Sequence, residues 1–163
     1  MNYDRNALID QLILHEGLKL HVYKDHLGID TIGVGRNLED RGITDGELAF
    51  MNMLKAEVYE QGITEANARF LLSNDIDIIE EELYDAHSCC IDRLDDVRIR
   101  VVLDMAFNMG VPRLRKFKNM WAGIHEGDYV RASLEMLDSR WATQVGQRAV
   151  RLSSAMKTGE WHV

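Results

Sequence analysis

The chain has 163 residues, and a chain of this size buries roughly 68–70% of the surface its unfolded form exposes, so neither a metal nor a disulfide is required for folding. Its composition, 46% hydrophobic and 28% charged, excludes a disordered or fibrous class, and no run approaches the ~20 apolar residues of a membrane helix. The net charge of −8 is split: residues 1–110 hold 10 basic against 22 acidic side chains, net −12, and residues 111–163 hold 9 against 5, net +4.

That balance excludes a basic nucleic-acid binder, and neither a nucleic-acid partner nor membrane insertion is expected. The basic C-terminal excess hints at an anionic partner. A single proline points to helix, because prolines punctuate loops and sandwiches. The only two cysteines are neighbours, Cys89 and Cys90. They form no disulfide framework and no metal-ligand spacing. The expectation is two small reduced residues, with no metal and no cofactor. Residues 1–14 carry Asp4 and Arg5 and a periodic apolar pattern in place of a signal-peptide core, so synthesis in a cytosol is expected.

In chain order, Asp4 caps a predicted helix from Arg5 to His15, with Leu8, Ile9, Leu12 and Ile13 at helical spacing. Gly17 ends it. Leu18, Leu20 and Val22 then alternate with Lys19, His21 and Tyr23, the pattern of a half-buried strand. Asp25 to Gly28 read as a turn, and Ile29 to Val34 as a returning strand. Thr44 with Glu47 forms a capping box, flanked by Ile43 and Leu48 as a hydrophobic staple, and that helix is predicted to reach Glu60. Gly62 stops it and Thr64 caps the next. Leu72, Ile76, Ile79 and Leu83 predict one long amphipathic helix from Glu65 to Tyr84. Residues 96–109 form an apolar helix, suited to the centre of a helical lobe and ended by Gly110 and Pro112. Shorter helices follow around Trp121, Leu134 and Val150.

The fold class is therefore α+β and mostly helical. A small hairpin-containing lobe (1–64) and a helical lobe (85–163) are joined by a long helix (65–84), with the first helix expected to pack on the C-terminal lobe. The residues suited to chemistry lie in the first hairpin. Glu16 ends a helix, Asp25 sits in the turn, and Thr31 stands on the return strand. A helix C-terminus carries partial negative charge, a setting that suits a proton donor. Two carboxyls and a hydroxyl on one edge fit acid–base work on a glycosidic bond. Spacing alone favours an ordinary surface glutamate, a turn aspartate and a strand threonine, because carboxylate pairs at this separation are common in an acidic protein.

A resemblance separates these readings. The stretch Glu16-Gly17-Leu18-Lys19-Leu20, then Tyr23-Lys24-Asp25, Gly28 and Thr31-Ile32-Gly33-Val34-Gly35 resembles the N-terminal signature of phage-type lysozymes, the T-even phage endolysins of glycoside hydrolase family 24. Asn74-Asp75-Ile76-Asp77, Phe107-Asn108-Met109-Gly110, Ser139-Arg140-Trp141, Gln144, Arg148-Ala149 and Lys157-Thr158-Gly159-Glu160-Trp161 follow in the family's order. The resemblance implies an inverting muramidase. Glu16 is its catalytic acid, Asp25 its second carboxylate and Thr31 its water-holding threonine. Phe107, Arg140 and Gln144 are implied to lie near the sugar cleft, and Arg148 is implied to pair with the catalytic glutamate.

The implied substrate is peptidoglycan, cut by a monomer without a cofactor. The protein is expected to wait in the host cytoplasm until the membrane is permeabilised. The rival reading is a catalytically silent wall- or glycan-binding module of the same fold, which has no need of an acid at Glu16. Trp141 and Trp161 are expected in the core. Arg36 stands where a well-known family member has a histidine facing the Asp75 position. An Arg36–Asp75 ion pair is expected, with the Asp75 carboxyl held below its usual range.

Overall fold

The structure, a computed structural model, describes residues 1–163. The chain forms ten helices and one small antiparallel sheet of strand order β1-β2-β3. The chain divides into an N-terminal unit, Ile9–Asp75, and a C-terminal unit made of Met1–Leu8 and Ile76–Val163. It passes between them within α1 (Arg5–Glu16) and within α4 (Glu65–Ile91).

In the N-terminal unit, α1 buries Leu12 and Ile9, and Gly17 ends it at φ 81°, its N–H bonded to the Ile13 carbonyl at 2.9 Å. Strand β1 (Lys19–Lys24) pairs with β2 (Asp30–Gly33), setting Tyr23 opposite Thr31 and Lys24 opposite Asp30. A third strand, β3 (Arg36–Asn37), sets Asn37 opposite Thr31. It was not expected, because two residues are too short for periodicity to register. The core comprises Ile32, Leu38, Met51, Val58, Ile63 and Leu71, with Leu18, Leu20 and Val22 packed against it. Full burial of such a side chain contributes about 1.5–3 kcal/mol.

The predicted capping box is present. Thr44 Oγ1 accepts from the Glu47 N–H at 3.1 Å, and Glu47 Oε2 accepts from the Thr44 N–H at 2.9 Å. The helix predicted to reach Glu60 is instead two, α2 (Asp45–Met51) and α3 (Lys55–Gln61). Asn52 adopts a left-handed cap at φ 52°, a conformation asparagine tolerates better than other non-glycine residues. Gly62 ends α3 at φ 75°, and a Cβ there would stand 2.3 Å from the Leu20 carbonyl. Thr64 then caps α4, accepting from the Asn67 N–H at 3.1 Å.

Arg36 is 3% exposed and uses all five guanidinium N–H groups. Nε donates to Asp75 at 2.8 Å, and Nη1 and Nη2 donate to the two Glu47 carboxylate oxygens at 3.1 Å each. The carbonyls of Gly42 and Leu71 take the remaining donors at 3.0 and 2.8 Å. The expected pair with Asp75 is therefore formed, at 2.8 Å. The expected direction for Asp75 is corrected: burial pushes its carboxyl above the usual carboxylate range, outweighing Arg36 and Arg41. Glu47 carries the opposite shift. Burial opposes it, but bonds from Arg36, Asn74 and the Thr44 N–H hold its carboxyl down at about 2.

In the C-terminal unit, α5 (Asp96–Met109) is the apolar helix predicted, capped by Asp95 and ended by Gly110. It buries Ile99, Val101, Val102, Leu103 and Met105. Of the later helices, α6 (Val111–Leu114) and α10 (Gln147–Thr158) pack on it, α8 (Tyr129–Leu137) packs on α10 and on α7 (Lys118–Glu126), and α9 (Arg140–Val145) packs on α10. Arg5 binds Asp77 and Glu80 at 2.6 and 2.9 Å, fixing the start of α1 to α4, and Tyr3 bonds Glu80 as well. The long helix reaches a kink at the non-helical His87, close to the expected end at Tyr84, and a short helical segment continues from there to Ile91. Trp141 is 2% exposed, as expected of core. Trp161 is corrected: it lies beyond α10 and is only half-buried.

Candidate active site

The N-terminal unit presents Glu16, Asp25 and Thr31 from one helix–hairpin segment. Glu16 is the last residue of α1 and is half-buried. Asp25 builds the turn between β1 and β2. Its backbone N–H donates to the Ile29 carbonyl at 2.9 Å, and its own carbonyl accepts from the Gly28 N–H at 2.9 Å. Its Oδ1 accepts from the Leu27 and Ile29 N–H groups at 2.8 and 3.0 Å. Those backbone donors, Ile29 first, hold its carboxyl below the usual range against a smaller opposing effect of burial. Asp25 is thus a standing anion at neutral pH.

Thr31 is 4% exposed and donates its hydroxyl to the Ile29 carbonyl at 3.0 Å. Its oxygen retains acceptor capacity for a proton from a bound water. Tyr23, the cross-strand partner of Thr31, reports on both carboxyls: burial raises its phenol, followed by the charges of Asp25 and then Glu16. Both acidic groups therefore act on one ring. The Lys19 ammonium also lies 5.0 Å from that ring's centroid. The place of Tyr23 opposite Thr31 was not legible in the sequence, because the predicted turn Asp25–Gly28 would pair Tyr23 with Asp30, one residue away from the observed register.

The four remaining predicted residues belong to the C-terminal unit. Arg140 and Gln144 are both exposed on α9, one turn apart. Gln144 accepts from Arg113 at 3.0 Å. Arg140 lines a pocket of about 430 Å³ together with Arg113, Lys116, Lys118, Phe117 and Trp141. Phe107 is half-buried near the end of α5, and Phe107, Gln144 and Arg148 do not line that pocket. Arg148 is 7% exposed and donates from Nε to Asp104 at 2.8 Å, with Asp104 fully buried. A buried arginine on a buried aspartate fixes α10 to α5, since breaking such a pair leaves an uncompensated charge.

A carboxyl at a helix end and a second, ionised carboxylate are the residue types that acid–base hydrolysis of a glycosidic bond uses. The phage lysozyme family model matches residues 14–155. The chain is 29% identical over 163 residues to "Probable T4-type lysozyme 2" of Dictyostelium discoideum, covering 94% of this chain and 95% of that one. It is 28% identical to "Probable T4-type lysozyme 1" of the same organism, with the same coverage. It is also 28% identical to the "Pre-baseplate central spike protein Gp5" of Enterobacteria phage T4, covering 94% of this chain but 28% of that longer protein. With the family match spanning most of its length and the helix–hairpin segment in place, the chain belongs to the phage lysozyme family.

Proposed function

We propose that the protein is a lysozyme that hydrolyses the β-1,4 bond between N-acetylmuramic acid and N-acetylglucosamine in bacterial peptidoglycan, with inversion. Glu16 protonates the leaving oxygen, while Asp25 and Thr31 hold the attacking water on the opposite sugar face. The observation that carries this reading is the division of labour in the hairpin. Backbone N–H groups hold the Asp25 carboxylate in the turn and further favour its ionised form, as suits a water-polarising group, and Thr31 is fixed by its bond to Ile29. Membership in the family and the names of its relatives support the same chemistry.

In this reading Phe107, Arg140, Gln144 and Arg148 serve the glycan. Exposed Arg140 and Gln144 are suited to direct bonds, whereas Arg148, buried on Asp104, is a positioning residue. The protein acts as a monomer without a cofactor. It reaches the wall from the host cytoplasm after a separate agent opens the membrane. No helix is long and apolar enough to cross a membrane.

The test is early-product NMR and mass spectrometry of purified peptidoglycan treated with the full chain. The expected product ends in N-acetylmuramic acid with the α-anomer released first, because inversion of a β-bond requires it. A β-anomer first would make Asp25 a nucleophile. A product ending in N-acetylglucosamine would contradict the assigned bond.

A further inference from the structure

Cys89 and Cys90 carry no metal spacing in the sequence, yet folding brings a third soft ligand to them. Their sulfurs lie 3.8 Å apart near the C-terminal end of α4. These sulfurs and a ring nitrogen of His125, on α7, all lie within 4.8 Å of one another. We propose that Cys89, Cys90 and His125 form a thiolate–imidazole site for a zinc-type divalent cation.

The geometry fits that cation. Two thiolates at about 2.3 Å from a tetrahedral zinc stand about 3.8 Å from each other, the separation already present. Sulfur and imidazole donors select zinc-like ions over magnesium or calcium, which take oxygen. Both thiols are free. Cys89 and His125 are exposed while Cys90 is buried, so a cation enters from solvent and water completes its coordination. Thiols bind such a cation as thiolates, so binding releases protons and strengthens as pH rises.

The pair is held in place on both sides. Two positions before Cys89, the His87 ring stacks on Trp121 of α7 with centroids 3.8 Å apart and planes 12° apart. Three positions after Cys90, Arg93 donates to the backbone carbonyl of His125 at 2.8 Å. Trp121 and His125 lie one turn apart on α7, where i and i+4 side chains share a face. The end of α4 is thus pinned to α7 above and below the thiols, so little reorganisation is needed. His125 lies 35 positions beyond Cys90, which is why no local motif reveals it. The site includes none of the residues assigned to hydrolysis.

The test is titration of the reduced full chain with Co²⁺, followed by displacement with Zn²⁺. The expected result is one equivalent bound, with a thiolate-to-cobalt charge-transfer band and the intense visible bands of a tetrahedral ion, all abolished by Zn²⁺. His125→Ala is expected to weaken binding by about tenfold or more, since even outer-shell losses reach that size. Cys89→Ser should cut the charge-transfer intensity to about half, in line with loss of one of two thiolates. Both variants alter exposed side chains, so they remain informative even where Cys90→Ser fails to fold. Absence of the charge-transfer band overturns the proposal, as does His125→Ala binding with wild-type affinity.

Discussion

Arg36 sets the charge balance inside the N-terminal unit, because it divides its donors between two carboxylates that respond in opposite directions. Glu47 is held down at about 2 from an ordinary 4.5, so its ionised form is favoured by folding. The resulting stability is present above pH 4.5 and is lost as pH falls toward 2, an effect of about 3 kcal/mol. Asp75 is raised from 3.8, so its contribution runs the other way, declining as pH rises through and above that value. Glu47→Gln is therefore expected to destabilise the protein at neutral pH by about 3 kcal/mol, and by more than Asp75→Asn does. Urea unfolding across acid and neutral pH measures both, and the reverse order contradicts the assignment. The Arg36–Asp75 pair was legible from family resemblance. The Asp75 shift was not, because burial is set by the packed unit. Glu47 was read only as a capping residue, and its second role depends on Arg36, eleven positions away in sequence.

Among the elements, the segment 44–64 shows what local chemistry decides. The capping box at Thr44, the stop at Gly62 and the cap at Thr64 all form as their side chains dictate. Asn52 was passed over because the apolar pattern continues beneath it, while its left-handed φ of 52° expresses a preference that periodicity does not record. Gly62 is under a double constraint: a φ of 75° and a carbonyl 2.3 Å from any added Cβ. Gly62→Ala is expected to destabilise by about 2 kcal/mol or more, from left-handed strain together with the clash. Thermal or urea unfolding checks it, and wild-type stability would mean that α3 and β1 separate readily at this point. The short helical segment beyond the kink of α4 was hidden for a related reason. The interruption at His87 coincides with stacking on Trp121, a contact made only on folding.

For the whole molecule, charge and catalysis are the two properties open to direct measurement. Peptidoglycan is largely anionic, and a net charge of −8 repels it at long range. Arg113, Lys116, Lys118 and Arg140 meanwhile gather around one pocket of the C-terminal unit. The screening length falls from about 30 Å at 0.01 M salt to about 8 Å at physiological strength. Activity is therefore expected to rise with salt from very low ionic strength, pass a maximum, and fall as the local attraction is screened. Charge reversal at Arg113, Lys116 and Lys118 should flatten the falling limb, and a steady decline from the lowest salt would show that net charge has no part in encounter. The site itself was legible in uneven measure. Glu16, Asp25 and Thr31 were singled out by family resemblance, since their spacing alone fits ordinary surface and turn residues, whereas no local pattern signals that Arg148 is buried on Asp104. The most direct test of the central assignment is the lysis rate of permeabilised Gram-negative cells with wild type beside Glu16→Gln, the variant's fold verified by circular dichroism. General acid help is worth about 10²–10⁴-fold, so Glu16→Gln should lose activity by that factor while remaining folded, and lysis at the wild-type rate would contradict the role given to Glu16.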